Sequence, residues 1–270
     1  MRLLLILFLI GLTANSIHAQ KASNPLVPAD YGNRQEIGVL LGLGQNFQSG
    51  SSYVDCEGCI FEDGTKFGIT FGAYYGYYLN ESISLGIMGL YDDLGVSSSY
   101  VEIESVTPIN SNNGEIPVSF RHNSEISLGY ISAAPYVKWD VFDFFSLQAA
   151  PSVSFNTSSN LKHEKVLLDR TVTLQNGEIV QIELRDYENY IATLQDGEYE
   201  GINSIRFSLL ASAGFDIHIS KRADLGASFM YSIPFSLVDE NSDDFKISSW
   251  RIMLKFSYAL TLSNWEAKKF

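Results

Sequence analysis

Beyond its first dozen positions the sequence has no long apolar run. That excludes a membrane-crossing helix in the exported chain, because a helix needs about 20 such residues to span the hydrocarbon layer. Cysteine is nearly missing: Cys56 and Cys59 stand alone in Cys-Glu-Gly-Cys. Two cysteines cannot build a disulfide scaffold. With no second pair and no adjacent histidines, a four-ligand zinc site is short of donors. Cations are scarce, 18 Lys and Arg against 31 Asp and Glu, for a formal net charge of −13. No basic patch for nucleic acid follows from that balance. Histidine is rare as well. His122 and His163 fall in expected loops, and His218 has only Asp216 near it on its face, so no Ser-His-acid set is visible. Neither an enzyme nor a cofactor is expected.

The start of the chain has the three-part grammar of a secretory signal. Met1-Arg2 is positive, residues 3–12 are apolar except for Gly11, and small and polar residues lead to Ala19-Gln20. Cleavage is expected after Ala19, leaving residues 20–33 as an N-terminal periplasmic segment. A retained anchor is the alternative, disfavoured because the run is too short to span. Export implies an oxidising compartment, so Cys56 and Cys59 are expected to close a local disulfide that stiffens a loop. A redox Cys-x-x-Cys would need a βαβ context that the sequence lacks.

What the sequence has in quantity is apolar and aromatic side chains that do not cluster. Apolar residues make up 46% and aromatics 13%, and they alternate, as in strands whose two faces meet different surroundings. In residues 34–46, Ile37, Val39, Leu41 and Leu43 oppose Glu36, Gly38, Gly42 and Gly44. Residues 66–79 set Phe67, Ile69, Phe71, Ala73, Tyr75 and Tyr77 against Gly68, Thr70, Gly72, Tyr74, Gly76 and Tyr78. A third strand opens with Ile83, Leu85 and Ile87. Residues 145–156, 204–219, 225–235 and 250–260 repeat the pattern. Residues 126–141 do not fit cleanly: Ile131, Ala133, Val137 and Trp139 share one parity, and Ile126, Leu128 and Tyr130 take the other. Either a β-bulge intervenes or the upper part of this strand stands clear of the membrane.

These strands far exceed the 5 or 6 residues typical of soluble sheets and suffice for the about 9–11 that cross a membrane at a tilt. Their connections alternate in length. Tight turns are expected near Asn80, Asp143 and Lys221, and long connections over residues 47–65, 95–125, 156–203 and 237–245. Outer-membrane barrels join strands by short periplasmic turns and long external loops, which places both ends of the chain in the periplasm. Asn112-Asn113-Gly114 and Asn176-Gly177 mark hairpins within two long loops. Counting the second as two more spanning strands would turn Arg170 toward mid-membrane lipid, at about 2–4 kcal/mol; eight is the better count.

The pattern resembles the small outer-membrane barrels of the OmpA and OmpX type and the outer-membrane β-barrel domain of Bacteroidetes-like bacteria. The resemblance rests on alternation, glycine-rich inner faces and loop rhythm over residues 34–260. It implies an all-β, eight-stranded antiparallel up-and-down transmembrane barrel with long extracellular loops, inserted by barrel-assembly machinery. Such barrels end on an aromatic residue; here a tail, residues 261–270, follows the last strand.

With these parities Glu36, Asp92, Lys138, Asp140, Arg206, Asp216, His218, Arg251 and Lys255 point into the lumen with Tyr74, Tyr78 and Tyr136. Eight strands leave an interior that side chains can fill, so a paired, plugging network is expected, with a narrow channel for small solutes as the alternative and a lipid-modifying enzyme as a distant third. A soluble lipocalin-like barrel is also open; it would turn the apolar face inward. The four long connections carry the acid, which is either simple solvation or a surface for divalent cations bridging to lipopolysaccharide. Asp239, Asp243 and Asp244 form a weak cation candidate that lacks the central Gly and closing Glu of a calcium loop.

Overall fold

A computed structural model describes residues 34–53, 59–106, 115–142, 144–173, 177, 179–182, 190–220, 222–242 and 244–261. The expected signal segment, Cys56, Lys221, Asp143, Asp243 and the tail from 262 lie outside them.

The described chain is all strand: β1 (Gln35–Ser49), β2 (Ser52–Tyr53), β3 (Ile60–Phe61), β4 (Thr65–Tyr78), β5 (Ile83–Asp93), β6 (Val96–Val106), β7 (Ile116–Phe142), β8 (Phe145–Leu167), β9 (Thr171–Thr173), β10 (Ile179–Gln181), β11 (Ile191–Glu198), β12 (Ile205–His218), β13 (Ala223–Pro234) and β14 (Lys246–Thr261). Eight of these close a ring, in the order β1-β4-β5-β7-β8-β12-β13-β14, and β14 returns to β1. Every pairing is antiparallel between neighbours in the ring, from Val39↔Phe256 at the closure to Ala133↔Val153 on the far side. Closure satisfies each strand's backbone groups and leaves no edge, which a lipid surround requires.

Apolar side chains face outward on all eight strands, at odd positions on seven of them and at even positions on β14. Val39 is 57% exposed, Phe67 62%, Ile87 53%, Val137 51%, Phe155 51%, Phe215 54%, Phe229 51% and Ile252 56%. Water would not tolerate so continuous an apolar belt, and a lipocalin-like barrel would hide it. The inward face carries the polar residues, so the lipocalin reading is excluded and the chain is an outer-membrane type barrel. Aromatic rings flank the belt, as on barrels at a lipid–water boundary. Phe142, Phe144 and Phe215 stack at the short-turn end, with centroids 5.9 and 6.2 Å apart, and Phe229 stacks on Trp250 at 6.1 Å nearer the other.

The irregular strand resolves differently from a simple parity shift. β7 keeps its even residues inside without interruption, from Ile116 and Val118 through Ile126, Leu128 and Tyr130 to Tyr136 and Lys138. The bulge lies on the facing strand: Gly129 pairs with Ser158 and Tyr130 with Asn156, so Thr157 is the extra residue. Before it β8 buries Ala150, Ser152 and Ser154; after it, Leu161, His163 and Leu167. The upper part of β7 does leave the belt.

There β7 and β8 continue as a hairpin, widened by β6 on β7 and β11 on β8. Much of the two expected long loops is therefore strand. The miss has a physical cause. Clear of lipid, the inward face becomes apolar while Glu125, Ser127 and Lys162 turn outward, inverting the pattern by which the strands are recognised. The Asn-Gly hairpins hold: β6 pairs with the start of β7, and β9 with β10.

Candidate functional site

Side chains line the lumen in layers. Nearest the short turns, Arg34 donates to Glu36 (3.2 Å) and also pairs with Asp224, whose other oxygen meets His218 Nδ1 at 2.6 Å. The Tyr78 hydroxyl donates to Glu36 at 3.3 Å, and the Arg34 guanidinium lies over the Tyr78 ring at 5.1 Å. Lys138 Nζ bridges Asp140 and Asp216, both at 2.9 Å, and Lys255 reaches Asp216 at 2.6 Å. Charges buried in an apolar tube persist only when paired in this way.

Above lies an apolar layer of Tyr74, Met88, Leu90, Ala134, Tyr136, Ala150, Leu210, Met230 and Met253. Two glycines make room for its tyrosines. A Cβ on Gly38 would stand 2.3 Å from Tyr74 Cε1, and one on Gly86 2.4 Å from Tyr136 Cζ. Next comes a second polar layer. Arg251 donates to Thr70 Oγ1 (3.0 Å), Asn46 Oδ1 (2.7 Å) and the Asp93 carbonyl (2.9 Å). Thr70 relays a hydrogen bond to Asp92 at 2.5 Å, and Ser132 donates to the other Asp92 oxygen at 3.4 Å. Arg206 donates to the Ile247 carbonyl at 2.7 Å. A cavity of about 40 Å³ remains among Leu40, Lys138, Gln148, Asp216, Met253 and Lys255, room for a few waters.

Beyond the belt the interior turns apolar again, with Leu94, Val96, Ile126, Leu128, Tyr130, Leu161, Tyr199, Phe245 and Ile247 in one core. Eight of the nine residues read into the lumen thus occupy two polar layers. His218 is the exception: it sits at the rim, more than a third exposed, and its partner is Asp224 rather than Asp216. Strand parity alone would have added Asp224, since Leu225 faces lipid. Arg34, Asn46 and Thr70 were missed because their role appears only across strands.

Histidine is corrected more sharply. His122 and His163 stand on β7 and β8, not in loops. Ser124 pairs with His163 and His122 with Lys165, so the two rings lie diagonally on the inner face, with His122 Nδ1 3.1 Å from His163 Nε2. Glu104 accepts from His122 Nε2 at 3.3 Å and from Lys165. Burial opposes ionisation of Glu104, yet Lys165 and His122 hold its carboxyl below the usual range. Burial, with His122 and Lys165 close by, pushes His163 down to about 4. Tyr100 stacks on His122 at 5.0 Å, and Phe61 meets His163 edge-on at 5.4 Å.

Cys59 is disulfide-bonded and buried; its expected partner, Cys56, lies outside the described residues. The acidic candidate does not gather. Asp239 is turned inward to accept from Tyr199 Oη (2.6 Å) and the Asn241 amide (2.8 Å), Asp244 accepts from the Ser51 amide (2.9 Å), and Asp243 is not described. Asp239 and burial together raise the Tyr199 hydroxyl above its ordinary value. Among the described residues, clusters of three ligating side chains form only around His122.

Ring and belt define the class: a small eight-stranded outer-membrane β-barrel. No protein-family model and no curated protein matches the chain. Among solved structures it is similar to Ail, the attachment invasion locus protein of Yersinia pestis, in complex with the heparin analogue sucrose octasulfate, at 15% identity and a TM-score of 0.32 over 84% of this chain and 99% of that one. It is similar to Neisserial surface protein A at 13% and 0.36, over 82% and 96%. The outer membrane protein OprG from Pseudomonas aeruginosa follows at 9% and 0.33, over 84% and 97%. The likeness is one of architecture; the class rests on the closed ring and its belt.

Proposed function

We propose that this protein is a closed outer-membrane barrel whose working surface is the strand-built assembly at its long-connection end, in a structural or surface-binding role. The observation that carries this reading is the stacking of two polar layers and two apolar ones across the lumen, with a cavity of about 40 Å³ beside Lys138, Asp216 and Lys255. On this reading the short turns and both chain ends face the periplasm, and the first 19 residues serve export. The acidic connections meet lipopolysaccharide, with divalent cations bridging acid to phosphate. Outer-membrane lipid covers the belt, and barrel-assembly machinery inserts it.

The test is conductance. Purified protein in a planar bilayer is expected to give no steps, while a variant with Tyr74, Tyr136 and Met253 all replaced by Ala leaks. Stable openings by the unaltered protein would overturn the closed reading in favour of the narrow channel. Orientation is read separately. A peptide tag inserted at Gly177 is expected to be labelled on intact cells, and one at Asn80 only after the outer membrane is permeabilised; the reverse labelling sinks the orientation.

A further inference from the structure

The sequence alone leaves a zinc site two donors short, and the fold brings two nitrogen donors to a cysteine. We propose that His122, His163 and Cys59 form a thiol-gated site for a soft d-block cation, zinc or copper(I), closed while Cys59 is in its disulfide and opened by reduction. His122 and His163 are 4% and 1% exposed and Cys59 is 7% exposed. His122 Nδ1, His163 Nε2 and Cys59 Sγ lie within 4.8 Å of one another. A tetrahedral zinc with Zn–N of about 2.0–2.1 Å and Zn–S of about 2.3 Å sets its donors roughly 3.3–3.7 Å apart. The two ring nitrogens, at 3.1 Å, need to part by only a few tenths of an ångström. One ring N–H now bridges them; where a metal ion takes its place, that proton moves to the ring's other nitrogen by exchange with solvent, so that both rings ligate as neutral imidazoles.

The surroundings fit a metal centre as well as a hydrogen bond. The Glu104 carboxylate at His122 Nε2 is the outer partner that fixes a ligating imidazole's tautomer and orientation. Tyr100 and Phe61 wall the rings with π-faces and exclude competing polar groups. Both histidines ride on paired strands, so the nitrogens are positioned before any ion arrives. The one donor not in its ligating state is sulfur. A disulfide sulfur is a poor ligand, whereas a thiolate is a strong one.

The gating step balances as follows. A dithiol or phosphine reductant gives two electrons to the Cys59 disulfide and the S–S bond breaks; a dithiol supplies the two thiol protons and becomes a disulfide, whereas with a phosphine one water supplies both protons and the oxygen of the resulting phosphine oxide. Metal binding then displaces the Cys59 thiol proton to solvent. Three protein donors leave one tetrahedral position to water or an added ligand, as in open zinc sites.

The experiment uses the full chain in detergent, with cobalt(II) as the spectroscopic probe and zinc as the competitor. After treatment with a phosphine, about one cobalt per chain is expected, with thiolate charge-transfer and intense tetrahedral bands that zinc abolishes. The disulfide form is expected to show no such bands. His122→Asn and His163→Asn, which leave the disulfide and the barrel intact, should each lose them, and heat-modifiable gel mobility checks that the variants stay folded. Bands that survive in folded histidine variants would place the metal on the cysteine pair alone and overturn the proposal. So would equal binding by the disulfide form, or no binding after complete reduction.

Discussion

At the scale of single residues, the polar layers show how a membrane barrel keeps charge where water is scarce. Asp216 holds both Lys138 and Lys255, so Asp216→Ala would strand the buried Lys255 and leave Lys138 with Asp140 alone. Breaking such a set costs about 3–5 kcal/mol, whereas replacing all of it by apolar groups is often neutral. Asp216→Ala is therefore expected to unfold at a markedly lower temperature on a heat-modifiability gel. Adding Lys138→Met and Lys255→Met should restore much of the loss; an unchanged single variant would mean that the triad is not what holds this end. His163 makes the matching case at the other end. In the metal-free disulfide form its folded value, near 4, lies below the ordinary 6.5. Above pH 6.5 both folded and unfolded chains carry it neutral. Between 6.5 and 4 the unfolded chain takes the proton and the folded one refuses it, so stability falls over that window. The groups facing it are His122, Lys165, Glu104 and, through His122, Glu102. Amide protection factors in upper β7 and β8, referred to the intrinsic exchange rate at each pH, should fall across that range and do so less in His163→Gln; an equal fall there would point to another group.

At the scale of strands, parity was readable wherever one face met lipid. Ile37 to Leu43, Phe67 to Tyr75 and Ile252 to Tyr258 declare their faces without help, and with them went the strand count, the short turns and most of the lumen. Parity failed where lipid ended, because Ile126 and Leu161 face a protein core there while polar residues face out. The histidine cluster was hidden for the same reason and for another: 41 residues separate His122 from His163, and only a hairpin with a bulge brings them diagonal. That bulge is testable. Deleting Thr157 together with Ser158, one residue more than the bulge holds, should shift upper β8 by one position and throw Leu161, His163 and Leu167 outward. The expected result is a barrel still resistant to protease with an upper hairpin that is cut; equal resistance throughout would show that the strand absorbs the deletion. Gly86→Val tests packing instead. Its side chain would collide with the Tyr136 ring and the Tyr75 carbonyl, and overpacking of this kind costs about 1–3 kcal/mol, read as lower thermal resistance of the whole barrel.

At the scale of the molecule, belt and lumen divide the chain: apolar side chains that face out within the belt meet lipid, and inward charges such as Lys138, Asp216 and Lys255 pair with one another. The protein is accordingly expected in the detergent-extracted membrane fraction, with folded and boiled forms running apart on a gel; recovery in the soluble fraction would contradict the belt. Above the belt the arrangement reverses into an ordinary protein core, so the chain carries two folding environments in one continuous sheet. β7 and β8 pass from one to the other unbroken, 27 and 23 residues long. The dozen residues of β7 outside the barrel, at about 3.3 Å each, make a spar roughly 40 Å long. Its ladder of hydrogen bonds to β8 continues into the wall past the bulge at Thr157. A pull applied at the tip would thus load that ladder lengthwise, in shear, with many bonds resisting together. Mechanically the hairpin is a mast stepped into the hull, stiff against traction and unable to fold flat against the membrane.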